Sequence, residues 1–456
     1  MNKVNSINPA TGKINCSIRL HSKKEALKIC ETVSIAFSDW KGLSIQKRAE
    51  YMHKLAAVLR NKKEEYGMLI TKEMGKVLPQ SIAEIEKCAL TADLFADVSG
   101  EWLKDETVNI EGKRAIITFE PVGEVLAIMP WNFPFWQALR CAIPAMMAGN
   151  VVVLRHSNLV PMCALAIEEV FKLAGFPQNV FKTVVTDHAT VDELIRNKSV
   201  TAVSVTGSVE TGRTVARIAG GSLKKVVLEL GGSDPFIVLN DADINFACKN
   251  AVDARLISNG QSCICAKRFI VTKNIATEFT QKLVDMTKSL TVGNPADNST
   301  VVGPLASKQQ LLTITKQVND AKRKGAKVLC GGKSIESPGF FFEPTVITGI
   351  KNGMSVAHQE IFGPVSVILI AEDEKDAISI ANNSDFGLGA SVWTKDIANG
   401  EKIARRMDSG LVYVNEIVKS DPRLPFGGIK ISGIGRELSR YGLLEFVNIK
   451  SIVTPA

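Results

Sequence analysis

The run AVSVTGS at residues 202–208 decides the fold class, because it predicts an apolar strand that ends in a glycine just before a helix. Two more strands are predicted: VVVL at residues 151–154, which precedes a helix at about 162–174, and VFKTVV at residues 180–185. Strands that alternate with helices in this way form a mostly parallel sheet with helices on both faces. The chain is therefore predicted to be an α/β protein.

A second set of predicted strands follows further along the chain. It begins with PFIVL at residues 235–239 and continues with VSVILI at 365–370 and GLVYVN at 410–415, whereas residues 22–103 are predicted to be mostly helical. A chain of 456 residues is too long for one simple core, so we expect two or three domains.

The composition excludes several classes of protein. Hydrophobic residues make up 45% of the chain and charged residues 22%, which is ordinary for a soluble globular protein. No run approaches the roughly 20 apolar residues of a membrane span, and the N-terminus lacks the apolar core of a signal peptide. We therefore expect a cytoplasmic protein without a membrane partner.

Cysteine usage and charge narrow the expectations further. The nine cysteines are scattered, as expected for reduced thiols, and no second pair or neighbouring histidines complete a zinc site, so no metal is predicted. The formal net charge is +8, but the basic residues are spread along the chain and do not predict nucleic-acid binding. An anionic cofactor and an anionic substrate account for the mild basic excess.

Cys263 is the first candidate for a catalytic residue. It stands in the run NGQSCIC at residues 259–265, in a turn-prone segment after a predicted helix at 244–256. A structural cysteine usually lies within an apolar run, since a buried thiol packs as a small hydrophobe. The small and polar neighbours therefore indicate a presented thiol, although an ordinary surface cysteine in a loop has the same local sequence.

Two further polar residues follow predicted strands. Glu229 lies in LELGG at residues 228–232, where a carboxylate at the end of a buried strand is costly unless it has a partner or a chemical role. Asn132 lies in PWNFP at residues 130–134, where prolines and aromatic residues hold the amide rigidly, as suits an oxyanion donor. A solvated strand-end glutamate and a structural turn are the plainer alternatives.

Together these motifs resemble those of the NAD(P)-dependent aldehyde dehydrogenase superfamily, and the likeness extends almost to the C-terminus. Its other motifs are NPATG at residues 8–12, TGSVETG at 206–212, EIFGP at 360–364 and PFGGIKISG at 425–433. The segments KSDPR at 419–423 and GRELS at 435–439 are similar to those of the short succinate-semialdehyde dehydrogenases.

The resemblance implies oxidation of an aldehyde, with succinate semialdehyde as the first expected substrate, to the carboxylic acid with reduction of NAD(P). Cys263 would attack the aldehyde as a thiolate, and the Asn132 side chain and the Cys263 N–H would hold the oxyanion. After hydride transfer, Glu229 would activate the water that hydrolyses the thioester.

The resemblance also implies a nicotinamide cofactor, NADP or NAD. A strand followed by Gly207 and a helix places backbone N–H groups at a helix N-terminus, which suits a pyrophosphate. Gly212 completes this motif, and the resemblance assigns the diphosphate contact to Ser208. Without the other motifs, the two glycines would equally fit a plain strand–helix turn.

Other cofactor residues are carried over from the family. Arg155 stands where the family usually has a lysine directed to the adenosine ribose, and Asn158 stands where many NAD-preferring relatives have an acidic residue. Since Asn158 does not repel a 2′-phosphate, and since Arg155 and Ser157 can donate to one, NADP use is expected. The resemblance assigns Glu360 to the nicotinamide ribose and Phe362 to a position beside it. Trp131 is a further expected cofactor residue.

The family fold implies three parts. A Rossmann-type cofactor domain is expected at residues 1–104 and 122–231, an α/β catalytic domain at 232–428, and a small β oligomerisation arm at 105–121 and 429–456. The arm implies a homodimer or homotetramer.

The expected substrate site departs from the family in places. Arg140 and Ser420 match residues that bind a substrate carboxylate, with Lys419 and Arg423 nearby, but Arg140 equally fits a structural ion pair. Longer succinate-semialdehyde dehydrogenases have an arginine at the position of Ile257. The aromatic and asparagine positions of the motif before the cysteine hold Leu256 and Ser258, which changes the shape of the substrate funnel.

Several alternatives stay open at this point. The substrate can be another small aldehyde, and a relative on the same fold can transfer the acyl group to coenzyme A, although that reaction does not need the base Glu229. A binding protein that has lost catalysis would not need the intact catalytic residues. Cys265 either forms a reversible disulfide with Cys263 or is a small core residue.

Overall fold

The structure, a computed structural model, describes residues 3–351 and 353–455. The strands, in chain order, are β1 (Lys3–Ile7), β2 (Ile14–Arg19), β3 (Glu106–Ile110), β4 (Lys113–Pro121), β5 (Glu124–Met129), β6 (Val151–His156), β7 (Phe181–Thr183), β8 (Val200–Thr206), β9 (Lys225–Glu229), β10 (Asp234–Val238), β11 (Ala266–Thr272), β12 (Lys327–Cys330), β13 (Thr345–Thr348), β14 (Val365–Ala371), β15 (Phe386–Gly387), β16 (Gly389–Trp393), β17 (Leu411–Val414), β18 (Ile429–Lys430), β19 (Gly433–Ile434) and β20 (Val447–Pro455).

The helices complete the secondary structure. They are α1 (Lys23–Gly42), α2 (Ile45–Asn61), α3 (Lys63–Met74), α4 (Leu78–Trp102), α5 (Pro134–Met147), α6 (Pro161–Leu173), α7 (His188–Arg196), α8 (Val209–Gly221), α9 (Ile244–Leu256), α10 (Lys273–Lys288), α11 (Lys308–Arg323), α12 (Ser355–His358), α13 (Glu374–Asn382), α14 (Ile397–Ala404) and α15 (Ser439–Leu443).

A six-stranded sheet is formed by the first set of predicted strands. Its order is β19-β9-β8-β5-β6-β7, and all neighbouring strands are parallel except β19 and β9. Every residue of β5 and β6 is buried, as expected for central strands covered on both faces. The predicted α/β class with a mostly parallel sheet is confirmed.

A seven-stranded sheet is formed by the second set, in the order β12-β13-β14-β11-β10-β16-β17. Alternate residues of β10 enter two different hydrophobic cores: Phe236 and Val238 pack with residues of α9 and α10, and Ile237 packs with residues of α13 and α14. Successive side chains of a strand point to opposite faces, so helices cover both faces of this sheet.

A three-stranded antiparallel sheet has the order β20-β4-β3. These strands lie in the two segments predicted as an oligomerisation arm. The short strands β18 and β19, predicted in the same arm, instead pair with β15 and β9. The division into three parts stays a prediction. Of the helices that the structure describes, none combines the length and apolar character needed to cross a membrane.

A tight backbone contact just before β17 predicts the cost of one substitution. A Cβ atom added at Gly410 would lie 1.7 Å from the carbonyl oxygen of Gly427, whose own α-carbon faces Glu229. Because the obstructing atom is backbone, Gly410→Ala should destabilise the fold by about 1–3 kcal/mol and lower its melting temperature.

The matched control is Gly220→Ala in α8, where nothing lies within 4 Å of the added atom. Alanine is the better helix former, so this variant should keep or raise the melting temperature. Equal melting temperatures for the two variants would contradict the assigned contact.

Candidate active site

Cys263 lies at the meeting point of two cavities. The larger cavity, of about 540 Å³, is also lined by Trp136, Arg140 and Ser420. The smaller cavity, of about 250 Å³, is also lined by Asn132 and other residues predicted to bind the cofactor. A thiol between two cavities can contact a different molecule from each side, which is what a reaction between a substrate and a cofactor requires.

A strained turn delivers Cys263 to this position. After α9 the chain passes through Ser258 and Asn259, which both have left-handed backbone conformations with φ of 54° and 57°. Asn259 holds the turn in place: its Nδ2 donates to the carbonyls of Gly75 (2.7 Å) and Pro304 (3.0 Å). Non-glycine residues keep such conformations only when the surrounding structure fixes them.

The Cys263 thiol is strongly affected by its surroundings. Removal from bulk water raises the pKa of Cys263 to about 12, although the positive charges of Arg140 and Lys267 favour the thiolate. The thiol is therefore protonated at neutral pH when nothing is bound in the cavities.

Asn132 is held by hydrogen bonds on both sides of its amide. Its Nδ2 donates to the carbonyl of Gln261 (2.9 Å), and its Oδ1 accepts from Nε2 of Gln137 (3.1 Å). One N–H of Asn132 remains for a ligand. In the described part of the chain, the backbone N–H of Cys263 donates no hydrogen bond. These two donors fit the predicted oxyanion site.

Glu229 ends β9 and is buried. Among residues 3–351 and 353–455, neither of its carboxylate oxygens has a hydrogen-bond partner. Burial, and next the nearby Glu437, raise the pKa of Glu229 well above its usual value, and Arg140 and Arg436 oppose that shift. A Cβ atom on Gly427 would lie 2.5 Å from Oε1 of Glu229, so the glycine leaves room for the carboxylate.

The smaller cavity is lined by three of the residues predicted to bind the cofactor. Trp131 and Phe362 meet edge to face with ring centroids 5.6 Å apart, and both line the cavity together with Glu360. The Glu360 carboxylate accepts a hydrogen bond from the Gly232 N–H (3.1 Å) and lies 3.6 Å from Nζ of Lys267. No sequence motif pointed to Lys267.

An outer groove continues from Trp131 over the end of the six-stranded sheet. It has a volume of about 440 Å³ and is lined by Arg155, Ser157, Gly207 and Ser208. Ser208 caps α8, where its Oγ accepts a hydrogen bond from the Thr211 N–H at 3.2 Å. The N-terminus of this 13-residue helix therefore faces the groove.

Arg155 and Asn158 share one hydrogen-bond acceptor, the carbonyl of Thr186, at 3.3 Å and 3.1 Å. Burial lowers the pKa of Arg155 to about 10, so the guanidinium stays charged at neutral pH. Two carboxylates that the sequence did not assign to the site, Asp192 and Glu210, also line the groove.

Gly212 lies inside α8, and its assignment to the cofactor site stays a prediction. Its N–H donates to the Ser208 carbonyl at 2.9 Å, and a Cβ atom at this position would lie 2.4 Å from the Leu230 side chain. Gly212 therefore permits close packing of α8 against the segment after Glu229, and its N–H is not available to a phosphate.

The positive charges predicted on the substrate side are each paired with a carboxylate. Arg140 forms a buried ion pair with Glu437, and its guanidinium lies 4.5 Å from the ring centroid of Phe426. Of the two roles that the sequence left open for Arg140, the contacts match the structural ion pair. The two charges predicted beside Ser420 are also paired, Lys419 with Glu416 and Arg423 with Asp421.

Comparison with known proteins agrees with this geometry. Residues 1–452 match the aldehyde dehydrogenase family. The chain belongs to this family. It is 45% identical to a protein named probable NADP-dependent succinate-semialdehyde dehydrogenase from Synechocystis sp., over 98% of each chain. It is 41% identical to the NAD(P)-dependent succinate semialdehyde dehydrogenase Sad of Escherichia coli, over 98% of this chain and 97% of the relative.

Solved structures give the same result. The chain superimposes with a TM-score of 0.97 on succinic semialdehyde dehydrogenase from Streptococcus pyogenes in complex with NADP+, with 34% identity over 99% of this chain and 100% of that one. The aldehyde dehydrogenase fold predicted from the motifs is therefore confirmed.

Lys87 of this aldehyde dehydrogenase lines the larger cavity and was missed by the sequence reasoning. Its Nζ donates to Oγ of Ser420 at 2.6 Å and lies 4.1 Å from the ring centroid of Trp136. The one signal in the sequence was the position of this lysine, which lies in the apolar part of a predicted helix where packed side chains are expected.

Cys265 of the aldehyde dehydrogenase is fully buried and lines neither cavity. Its Sγ donates to the carbonyl of Ile257 at 3.3 Å. This placement matches the small core residue of the two alternatives, and the disulfide with Cys263 stays a prediction. In the described residues, no group of three His, Cys, Asp or Glu side chains could hold a metal ion.

The raised pKa of Cys263 predicts how this aldehyde dehydrogenase reacts with an alkylating agent. The thiolate fraction rises tenfold per pH unit below the pKa, so alkylation by iodoacetamide should accelerate about tenfold per unit between about pH 7 and pH 10. Mass spectrometry of the labelled peptide, with Cys263→Ala as the control, measures the rate at this site. A plateau below about pH 9 would show a thiolate that the cavity stabilises.

Proposed function

We propose that this protein oxidises succinate semialdehyde to succinate while reducing NADP or NAD. The balance is one aldehyde, one oxidised cofactor and one water giving one carboxylic acid, one reduced cofactor and one proton. The supporting observation is the position of Cys263, whose thiol is shared by a cavity with polar groups suited to a carboxylate and a cavity that fits a nicotinamide. The names of the relatives support the same substrate.

The residues of the smaller cavity and outer groove fit a dinucleotide. The N-terminus of α8 and the Arg155 guanidinium offer positive charge to phosphates. Glu360 is placed to accept from a ribose hydroxyl, and Trp131 and Phe362 to flank the ring. The bound cofactor supplies the hydride acceptor. The groove offers Arg155 and Ser157 to a 2′-phosphate, which supports NADP as well as NAD.

The proposed chemistry assigns one task to each of the three residues. Cys263 attacks the aldehyde carbon as a thiolate, and the C–S bond formed yields a thiohemiacetal whose oxyanion accepts from Asn132 and the Cys263 N–H. Loss of a hydride leaves a thioester on Cys263. Glu229, in its ionised form, then takes a proton from the water that cleaves the C–S bond.

We also propose a cytoplasmic location and a homodimer or homotetramer. The support for oligomers lies on β20, where apolar side chains are open to solvent in the single chain: Ile449 is 59% exposed and Val453 is 50% exposed. Burying such residues against a second copy is favourable, at about 25 cal/mol per Å² of apolar surface.

A panel of aldehydes tests the proposed reaction. Purified enzyme should show a higher kcat/KM for succinate semialdehyde than for butanal of the same chain length, with both NADP and NAD tried. The product should be free succinate in the absence of coenzyme A. Equal kcat/KM values for the two aldehydes would contradict the proposed substrate, and a requirement for coenzyme A would indicate acyl transfer.

The order of the chemical steps predicts the behaviour of Glu229→Gln. Since hydride transfer precedes hydrolysis, this variant should give one burst of reduced cofactor, of about one equivalent per active site, and then stall. Rapid-mixing absorbance of the reduced nicotinamide measures the burst. Cys263→Ala is the control and should give no burst. Steady turnover of Glu229→Gln at the wild-type rate would assign the base to another residue.

A further inference from the structure

The larger cavity has three cationic side chains on its wall: Lys87, Arg140 and Lys419. Two of them are neutralised within the chain, Arg140 by Glu437 and Lys419 by Glu416. In the described part of the chain, Lys87 forms no salt bridge and donates a single hydrogen bond, to Ser420. An ammonium group has three N–H donors, so two remain for a ligand.

The surroundings of Lys87 hold its ammonium in one place. The side chain is half-buried, and its Nζ lies between the Ser420 hydroxyl and the Trp136 ring. The rest of the wall includes several apolar side chains: Leu256, Ile257, Val301, Ile417 and Val418. A charge on a partly apolar wall interacts more strongly with an opposite charge than it would in water.

We propose that Lys87, with Ser420 beside it, binds the distal carboxylate of the substrate. Arg140, which the motifs suggested for this task, instead forms the buried ion pair with Glu437. The inference rests on the proposed function, since it presumes a substrate with a carboxylate, and it explains how the cavity distinguishes succinate semialdehyde from an uncharged aldehyde. It also explains why the arginine missing at Ile257 is not needed.

Several titratable or charged groups lie near Lys87 on the elements around it. Glu84 and Cys88 belong to the same helix, Arg140 to α5, and Asp421 to the loop after β17. Asp253 of α9 and Lys419 line the same cavity. Burial, and next Arg140, lower the pKa of Lys87 to about 8.

The test compares two substrates in three variants. Lys87→Met keeps the length of the side chain and removes its charge, Lys87→Arg keeps the charge, and Lys54→Met removes the same charge from the exposed surface of α2. Lys87→Met should lower kcat/KM for succinate semialdehyde about 10- to 100-fold, which is the effect of losing a charged hydrogen bond. The same variant should change kcat/KM for butanal less than about threefold. Lys87→Arg should recover most of the loss, and Lys54→Met should change neither value.

The pH profile supplies a second readout. Lys87 is charged below its pKa and neutral above it, so the ratio of kcat/KM for succinate semialdehyde to that for butanal should fall above about pH 8. Titrations of Cys263 and Glu229 affect both substrates and cancel in the ratio. In Lys87→Arg the ratio should stay flat to about pH 10, because an arginine stays charged there.

The outcomes separate the two proposals. A wild type that does not favour succinate semialdehyde overturns the proposed substrate. The role of Lys87 is then decided by calorimetric measurement of 4-hydroxybutanoate binding, since this compound has the same carboxylate and needs no turnover. Weaker binding to Lys87→Met than to the wild type supports the proposed role of Lys87. Equal binding to the two proteins overturns that role. A different result is that the wild type favours succinate semialdehyde but Lys87→Met lowers kcat/KM equally for both aldehydes. The proposed function is then supported, and Lys87 has only a structural role.

Discussion

The buried guanidinium of Arg255 holds together the two loops on which the rest of the site depends. It donates to backbone carbonyls on both sides of Cys263 and in the loop after Glu360, namely those of Gly260, Ala266, Ile361 and Gly363. A buried charge needs such partners, because an unsatisfied one would cost several kcal/mol. The Arg255 side chain thus fixes the loop of Cys263 relative to the loop that follows Glu360. Gly260 is required beside it, since a Cβ atom there would meet the backbone of Gly363 at 2.5 Å.

Burial also sets the electrostatics of the resting site. The pKa values of Cys263 and Glu229 are both raised, chiefly because the ionised forms have lost their water. The two groups for which the proposed mechanism requires ionised forms are therefore neutral at ordinary pH. Arg140 favours the ionised form of each of them, while Glu437 compensates its charge. The Arg140 charge, paired with Glu437, therefore acts on both groups.

Much of the fold was predictable because its strands and helices have strong local patterns. The helix predicted at 244–256 is α9, and the strand predicted at 202–206 is the main part of β8. The strand predicted at 180–185 is the edge strand β7 and spans only Phe181–Thr183, although the backbones of Val180 and Val184 also form hydrogen bonds with β6. An apolar run indicates burial, and it does not show at which residue the strand pairing ends.

The sequence by itself determined the α/β class, the family, and Cys263, Glu229 and Asn132 as the residues to consider, because each stands in a short motif whose meaning is local. Only the tertiary structure decided which charges are free. Lys87 meets Ser420 across 333 residues of chain, and Arg140 meets Glu437 across the same fold. No local pattern encodes such pairs, since they depend on how α4, α5 and the C-terminal loops pack together. A charge is neutralised or available according to its neighbours in space, and sequence order does not give those neighbours.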